Sequence, residues 1–166
     1  MKVRTLPQIV ELIRKIDPES GVNEYMLTEL IRQGILCYHK NGNRTVTDYD
    51  HVVLTLRRML DLNDTVFPHI RSVNKALPTL ADYGFGEDKV RRLVAEGTVD
   101  CIRIGNRSYI ALEQFDWPYA EKIFTRMHAP QPRESAKRQA QEQVSDFIAT
   151  HQGMPVVKRK RTGEAT

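Results

Sequence analysis

With 166 residues, 40% of them hydrophobic and 28% charged, the chain has the make-up of a globular protein with room for one ordinary domain or two small ones. No apolar run approaches the roughly 18–20 residues of a membrane span, the opening MKVRTLPQIVEL holds no unbroken signal core, and two cysteines suit a reducing compartment, so a cytoplasmic protein without membrane contact is expected. The net charge of +4 divides into +2 over residues 1–60, −1 over 61–128 and +3 over 129–166, so overall basicity does not name a partner and residue pattern has to.

In chain order, Thr5 followed by Gln8 is a capping-box pattern. It opens a helix with Ile9, Val10, Leu12 and Ile13 inward, stopped before Pro18. Gly21-Val22-Asn23 reads as a tight turn, the glycine supplying a positive φ and Asn23 starting the next helix. That helix turns Leu27, Leu30 and Ile31 to one side and ends at Gly34. A hairpin follows: Ile35–His39, the turn Lys40-Asn41-Gly42-Asn43, and Arg44–Thr47. A helix over Tyr49–Leu60 buries Val52, Val53, Leu56 and Leu60, and residues 61–71 read as a linker.

The pattern then repeats. At an offset of 63, Gly21, Glu24, Leu30, Gly34, Gly42, Asn43 and Arg44 fall on Gly84, Glu87, Leu93, Gly97, Gly105, Asn106 and Arg107. Upstream, Leu6-Pro7 matches Leu77-Pro78 at an offset of 71, which gives the first copy eight extra residues within Arg14–Ser20. The second copy's first helix is thus placed at Pro78–Tyr83. After it come the turn Gly84-Phe85-Gly86 and a helix carrying Val90, Leu93 and Val94. A hairpin of Val99–Ile104, Gly105-Asn106 and Arg107–Ile110 follows, then Leu112–Phe115 and a helix over Tyr119–Met127. Cys37 and Cys101 fall in the hairpin strands and read as core thiols. Farther on, Ala136, Ala140, Val144 and Phe147-Ile148 recur at helical spacing ahead of the basic run Lys158–Arg161.

Helix, tight turn, helix, hairpin, helix is the plan of a winged helix-turn-helix. The expected fold is mainly α with small β-hairpin wings. Two tandem modules span residues 1–60 and 72–128, and residues 129–166 supply a C-terminal helix and a basic tail. The stretch Ala76–Phe115 resembles the excisionase-like, MerR-related winged helix-turn-helix family. The likeness is carried by its alanine-bearing first helix, Gly-apolar turn, Glu96-Gly97 helix end and Ile-Gly-Asn-Arg wing. Residues 5–56 resemble a more divergent copy. The resemblance implies double-stranded DNA as partner, in excision of a mobile genetic element or in transcription regulation, with a recombinase or other protein alongside. Family members often carry Ser or Thr where the second helix starts; here stand Asn23-Glu24-Tyr25 and Gly86-Glu87-Asp88. Acids there suit the helix dipole but repel phosphate. A protein-interaction adaptor or inhibitor built on the same fold is therefore the alternative.

For DNA, the second copy offers Lys89, Arg91 and Arg92 on its second helix and Arg103, Asn106 and Arg107 on its wing. The first copy offers Tyr25, Thr28 and Arg32, then Lys40, Asn43 and Arg44. No CxxC pair, HExxH or phosphate-cradling glycine loop is present, and His69, His128 and His151 are isolated. No enzyme, metal or cofactor is expected, and the sequence leaves the oligomeric state open.

Overall fold

The structure, a computed structural model, describes residues 2–128. The C-terminal helix expected within 129–166 and the basic run Lys158–Arg161 lie outside the described residues. Two successive halves repeat one order of elements. The first is β1 (Val3–Thr5), α1 (Leu6–Ile16), α2 (Glu24–Arg32), β2 (His39–Asn41), β3 (Arg44–Asp48) and α3 (Tyr49–Met59). The second is β4 (Ile70–Ser72), α4 (Val73–Asp82), α5 (Glu87–Ala95), β5 (Ile102–Ile104), β6 (Arg107–Ala111), a 3-10 turn at Leu112–Phe115, and α6 (Tyr119–His128).

The architecture is mixed α and β. Each hairpin is part of a three-stranded antiparallel sheet, ordered β1-β3-β2 and β4-β6-β5, where bare wings were expected. The added strands pair Val3 with Asp48 and Ile70 with Ala111. At three residues each, they are too short to show an alternation of apolar and polar positions. Residues 61–71, expected as a linker, thus end inside β4, and Leu62 within them is buried.

The helix starts also differ from expectation. α4 begins at Val73, with Ser72 as its N-cap, and Pro78 lies inside it. Pro7, by contrast, stands in the first turn of α1, where a missing N–H costs nothing. The matching starts are therefore Thr5 and Ser72, and the coincidence of two Leu-Pro pairs misplaced the second helix. Four extra residues, rather than eight, separate the copies; α1 is one longer, and the loop after it takes the rest. Gln8 accepts from the Thr5 N–H at 3.0 Å, as the capping pattern requires.

The hairpin turns are the two-residue pairs Gly42-Asn43 and Gly105-Asn106, the glycines at φ +59° and +58°. The strands start later than expected, at His39 and Ile102. Cys37 and Cys101 precede them: Cys37 is exposed and is no core thiol, while Cys101 is half-buried and packs against the second half's core. Leu36 and Val99 take the buried positions instead.

Alternation along the second hairpin ties the halves together. Ile102, Ile104, Tyr109 and Ala111 share one cluster with Ile9, Ile13, Met26, Leu27 and Leu30 of the first half. Ile110, on the opposite face of β6, joins Ala76, Leu80, Val90, Leu93 and Phe115. Polar contacts seal the junction. Arg71 forks onto Asp17, and the Gly21 N–H donates to the Ile70 carbonyl at 2.8 Å. Gln114 Nε2 donates to the Leu60 and Asp100 carbonyls at 3.3 and 2.9 Å. Gly84 has the positive φ expected of its turn, +85°, but Gly21 does not. A Cβ on Gly21 would stand 3.0 Å from Tyr109 Cδ1, so that glycine serves close approach between the halves.

Candidate nucleic-acid interface

The β5–β6 hairpin projects between two clefts, and its two-residue period decides which side chain enters each. Arg103 pairs with Ser108 across the ladder, so both face the α4–α5 side. There they join Asn74 and Lys75 from the first turn of α4 and Arg91 from α5 in a cleft of about 620 Å³. Asn106 and Arg107 close it at the hairpin tip. Among the described residues its charged lining is Lys75, Arg91, Arg103 and Arg107, with no carboxylate. The opening N–H groups of α4 add partial positive charge at the same edge.

These cations are not equally available. Arg91 Nε donates to Glu87 Oε1 at 2.9 Å and its Nη2 to Asn74 Oδ1 at 2.9 Å, so it ties α5 to α4. Lys75, Arg103 and Arg107 make no ion pair among the described residues. Of the two acids at the start of α5, Glu87 is thus spent on Arg91, which reduces its repulsion of an anion in the cleft, and Asp88 is not part of the cleft lining.

On the other face of the hairpin, Ile104, Arg107 and Tyr109 line a second cleft of about 710 Å³. Its far wall comes from the first half: Val10 and Arg14 of α1, and Asn23, Glu24 and Tyr25 at the start of α2. Tyr25 is 63% exposed.

The first half's own hairpin bounds a smaller cleft, about 400 Å³, lined by Thr5, Leu6, Pro7, Glu24, Arg44 and Thr45. It brings one cation against one acid. By the element register, Gln8 and Thr28 take the positions that Lys75 and Arg91 hold in the second half, and neither lines the cleft. Gln8 is occupied at Thr5, and Thr28 Oγ1 donates back to the Glu24 carbonyl at 2.8 Å. Lys40 Nζ donates to Thr45 Oγ1 at 2.9 Å and sits 6.0 Å from the Tyr38 ring centre.

Of the residues singled out in the sequence, Arg91, Arg103, Asn106 and Arg107 come together in the cationic cleft, and Tyr25 reaches the second cleft. Lys89 goes elsewhere: its ammonium lies 5.0 Å from the Phe85 ring centre and 5.9 Å from that of Phe124, beside α6. Arg92 is exposed on α5 outside the cleft lining. Arg32 is bound to Glu29, Nη2 to Oε2 at 2.8 Å. That hydrogen bond holds the Glu29 carboxyl below its ordinary range and raises the guanidinium in turn. Asn43 and Arg44 remain at the first hairpin's tip. Asn74, Lys75 and Arg14 were missed; Lys75 would have been found had α4 been started at its Ser72 cap.

Among the described residues, no cluster of His, Cys, Asp and Glu could hold a metal ion, and no helix is long and apolar enough to cross a membrane. Comparison of the chain with known protein families, curated proteins and solved structures finds no match.

Proposed function

We propose that the chain binds double-stranded DNA as a tandem winged helix-turn-helix protein, acting as an excisionase-type or transcription-regulatory accessory factor by binding and without chemistry. The observation that carries this reading is the acid-free cleft with Lys75, Arg91, Arg103 and Arg107 in its lining. On this reading α4 and α5 are the helix-turn-helix and β5–β6 is the wing. A phosphodiester strand running between helix and wing meets three cations that have no ion-pair partner among the described residues, together with the amide end of α4. The second half carries the affinity, because the first half's own cleft sets Arg44 against Glu24. A recombinase or regulator bound on the same DNA is the corresponding protein partner.

A second reading, a protein-interaction adaptor, is favoured by the exposure of Trp117, Phe124 and Met127 in the closing segment of the second half. Titration of a fluorescent random-sequence duplex at low salt separates the two. Binding that weakens steeply with added salt supports the DNA reading, and no binding at low salt overturns it in favour of the adaptor.

A further inference from the structure

The second cleft has an apolar floor, an exposed aromatic wall and cations at its rim, and it is assembled from both halves of the chain. Its floor is Val10, Ile104 and Tyr109, while Arg14 and Tyr25 belong to the first half and Arg107 to the second. Arg107 and Asn106 line both clefts, so the two are continuous around the hairpin tip. Arg14 is exposed and makes no ion pair among the described residues. The wall is held in place by the junction behind it. Arg71 grips Asp17, three residues beyond Arg14, and Gly21 lies against the Tyr109 ring that forms the floor.

We infer that this composite cleft is the other half of the DNA site: the first half of the chain contacts the duplex through Arg14 and Tyr25, beside the second half's wing, and leaves its own wing unused. This rests on the DNA reading above. A hairpin with a cationic cleft on each face can meet phosphates on both of its sides, and Arg107 at the tip serves either one. Arg14 supplies charge to a phosphate, and the Tyr25 hydroxyl donates to phosphate or sugar oxygen. Glu24 also lines this cleft, where Arg14 and Arg107 outnumber it. The repeat thus contributes by position, through helices placed against a neighbouring wing, rather than by duplicating one site.

The test compares wild type, Arg14→Ala, Arg14→Lys, Tyr25→Phe and Arg44→Ala on the same random-sequence duplex across a salt series. Urea midpoints are measured alongside, since Arg14 and Tyr25 are exposed and their replacement leaves stability unchanged. Loss of one phosphate contact lowers the slope of log K against log salt by about 0.9. Arg14→Ala is expected to lose that increment and Arg14→Lys to keep it. Tyr25→Phe is expected to bind roughly three- to tenfold more weakly, and Arg44→Ala to match wild type. Normal binding by wild type with an unchanged slope for Arg14→Ala overturns this inference and leaves the DNA reading standing. Absence of wild-type binding overturns both.

Discussion

Arg71 and Asp17 form a two-pronged ion pair across the two halves of the chain, Nη2 to Oδ1 at 2.8 Å and Nη1 to Oδ2 at 2.5 Å. Their side chains are only 9% and 4% exposed. Asp17 ends α1, and Arg71 lies in the strand that opens the second half, so the pair fixes the angle between the repeats. Removing one partner of such a buried pair leaves an uncompensated charge and costs about 3–5 kcal/mol. Arg71→Met is expected to lower stability by that amount in urea unfolding, and Asp17→Leu by less, because Glu19 Oε2 still lies 3.7 Å from Arg71 Nη2. The double variant Asp17→Leu/Arg71→Met is expected to recover much of the loss, the mark of direct coupling.

Gly21 makes a second, independent prediction about the same junction. A Cβ there would meet Tyr109 Cδ1 at 3.0 Å and Cε1 at 3.2 Å, with the Ile70 carbonyl oxygen at 3.4 Å. Tyr109 is buried and cannot swing aside. Overpacking of this kind costs about 1–3 kcal/mol. Gly21→Ala is expected to lower the urea midpoint accordingly and to weaken DNA binding through the displaced second cleft.

Lys75 and Lys89 exchange the roles that helix position alone would give them. Lys89 sits on α5 but is held over Phe85 and Phe124. Lys75 stands in the first turn of α4 and faces the cleft. Lys75→Ala is expected to reduce the salt slope by about 0.9 with little change in stability. Lys89→Ala is expected to leave the slope alone and cost roughly 0.5–1 kcal/mol of stability. Parallel binding and unfolding measurements on both variants check the assignment.

In the first half, Arg32 is committed to Glu29. Glu29→Gln removes the carboxylate charge from that pair, yet Arg32 lines none of the three clefts described. The variant is expected to bind DNA with an unchanged salt slope despite its extra positive charge. A steeper slope would mean that the last turn of α2, beyond the Tyr25 end, also lies on the duplex.

Local order was readable because helix periodicity and the Gly-Asn turns act over a few residues. The buried faces of α2, α3 and α5 follow their apolar spacing, and both hairpin turns fall on the glycines that need positive φ. The strands β1 and β4 were not readable, since three residues carry no period and their partners lie some 40 positions away. The start of α4 was lost to a chance Leu-Pro match that outweighed a serine cap. Gly21 illustrates the same limit: the sequence shows a turn glycine, whereas its reason for being glycine is Tyr109, which no local pattern reveals. Of the cationic cleft, the wing residues were legible, and Lys75 was hidden behind the misplaced helix.

The most direct test of the central claim is the salt dependence of duplex binding by wild type and by Lys75→Ala/Arg103→Ala/Arg107→Ala. Three lost phosphate contacts at about 0.9 each predict a slope shallower by about 2.7 for the triple variant, with its unfolding midpoint near that of wild type. Equal slopes for the two proteins, or no binding by wild type at low salt, would contradict the account.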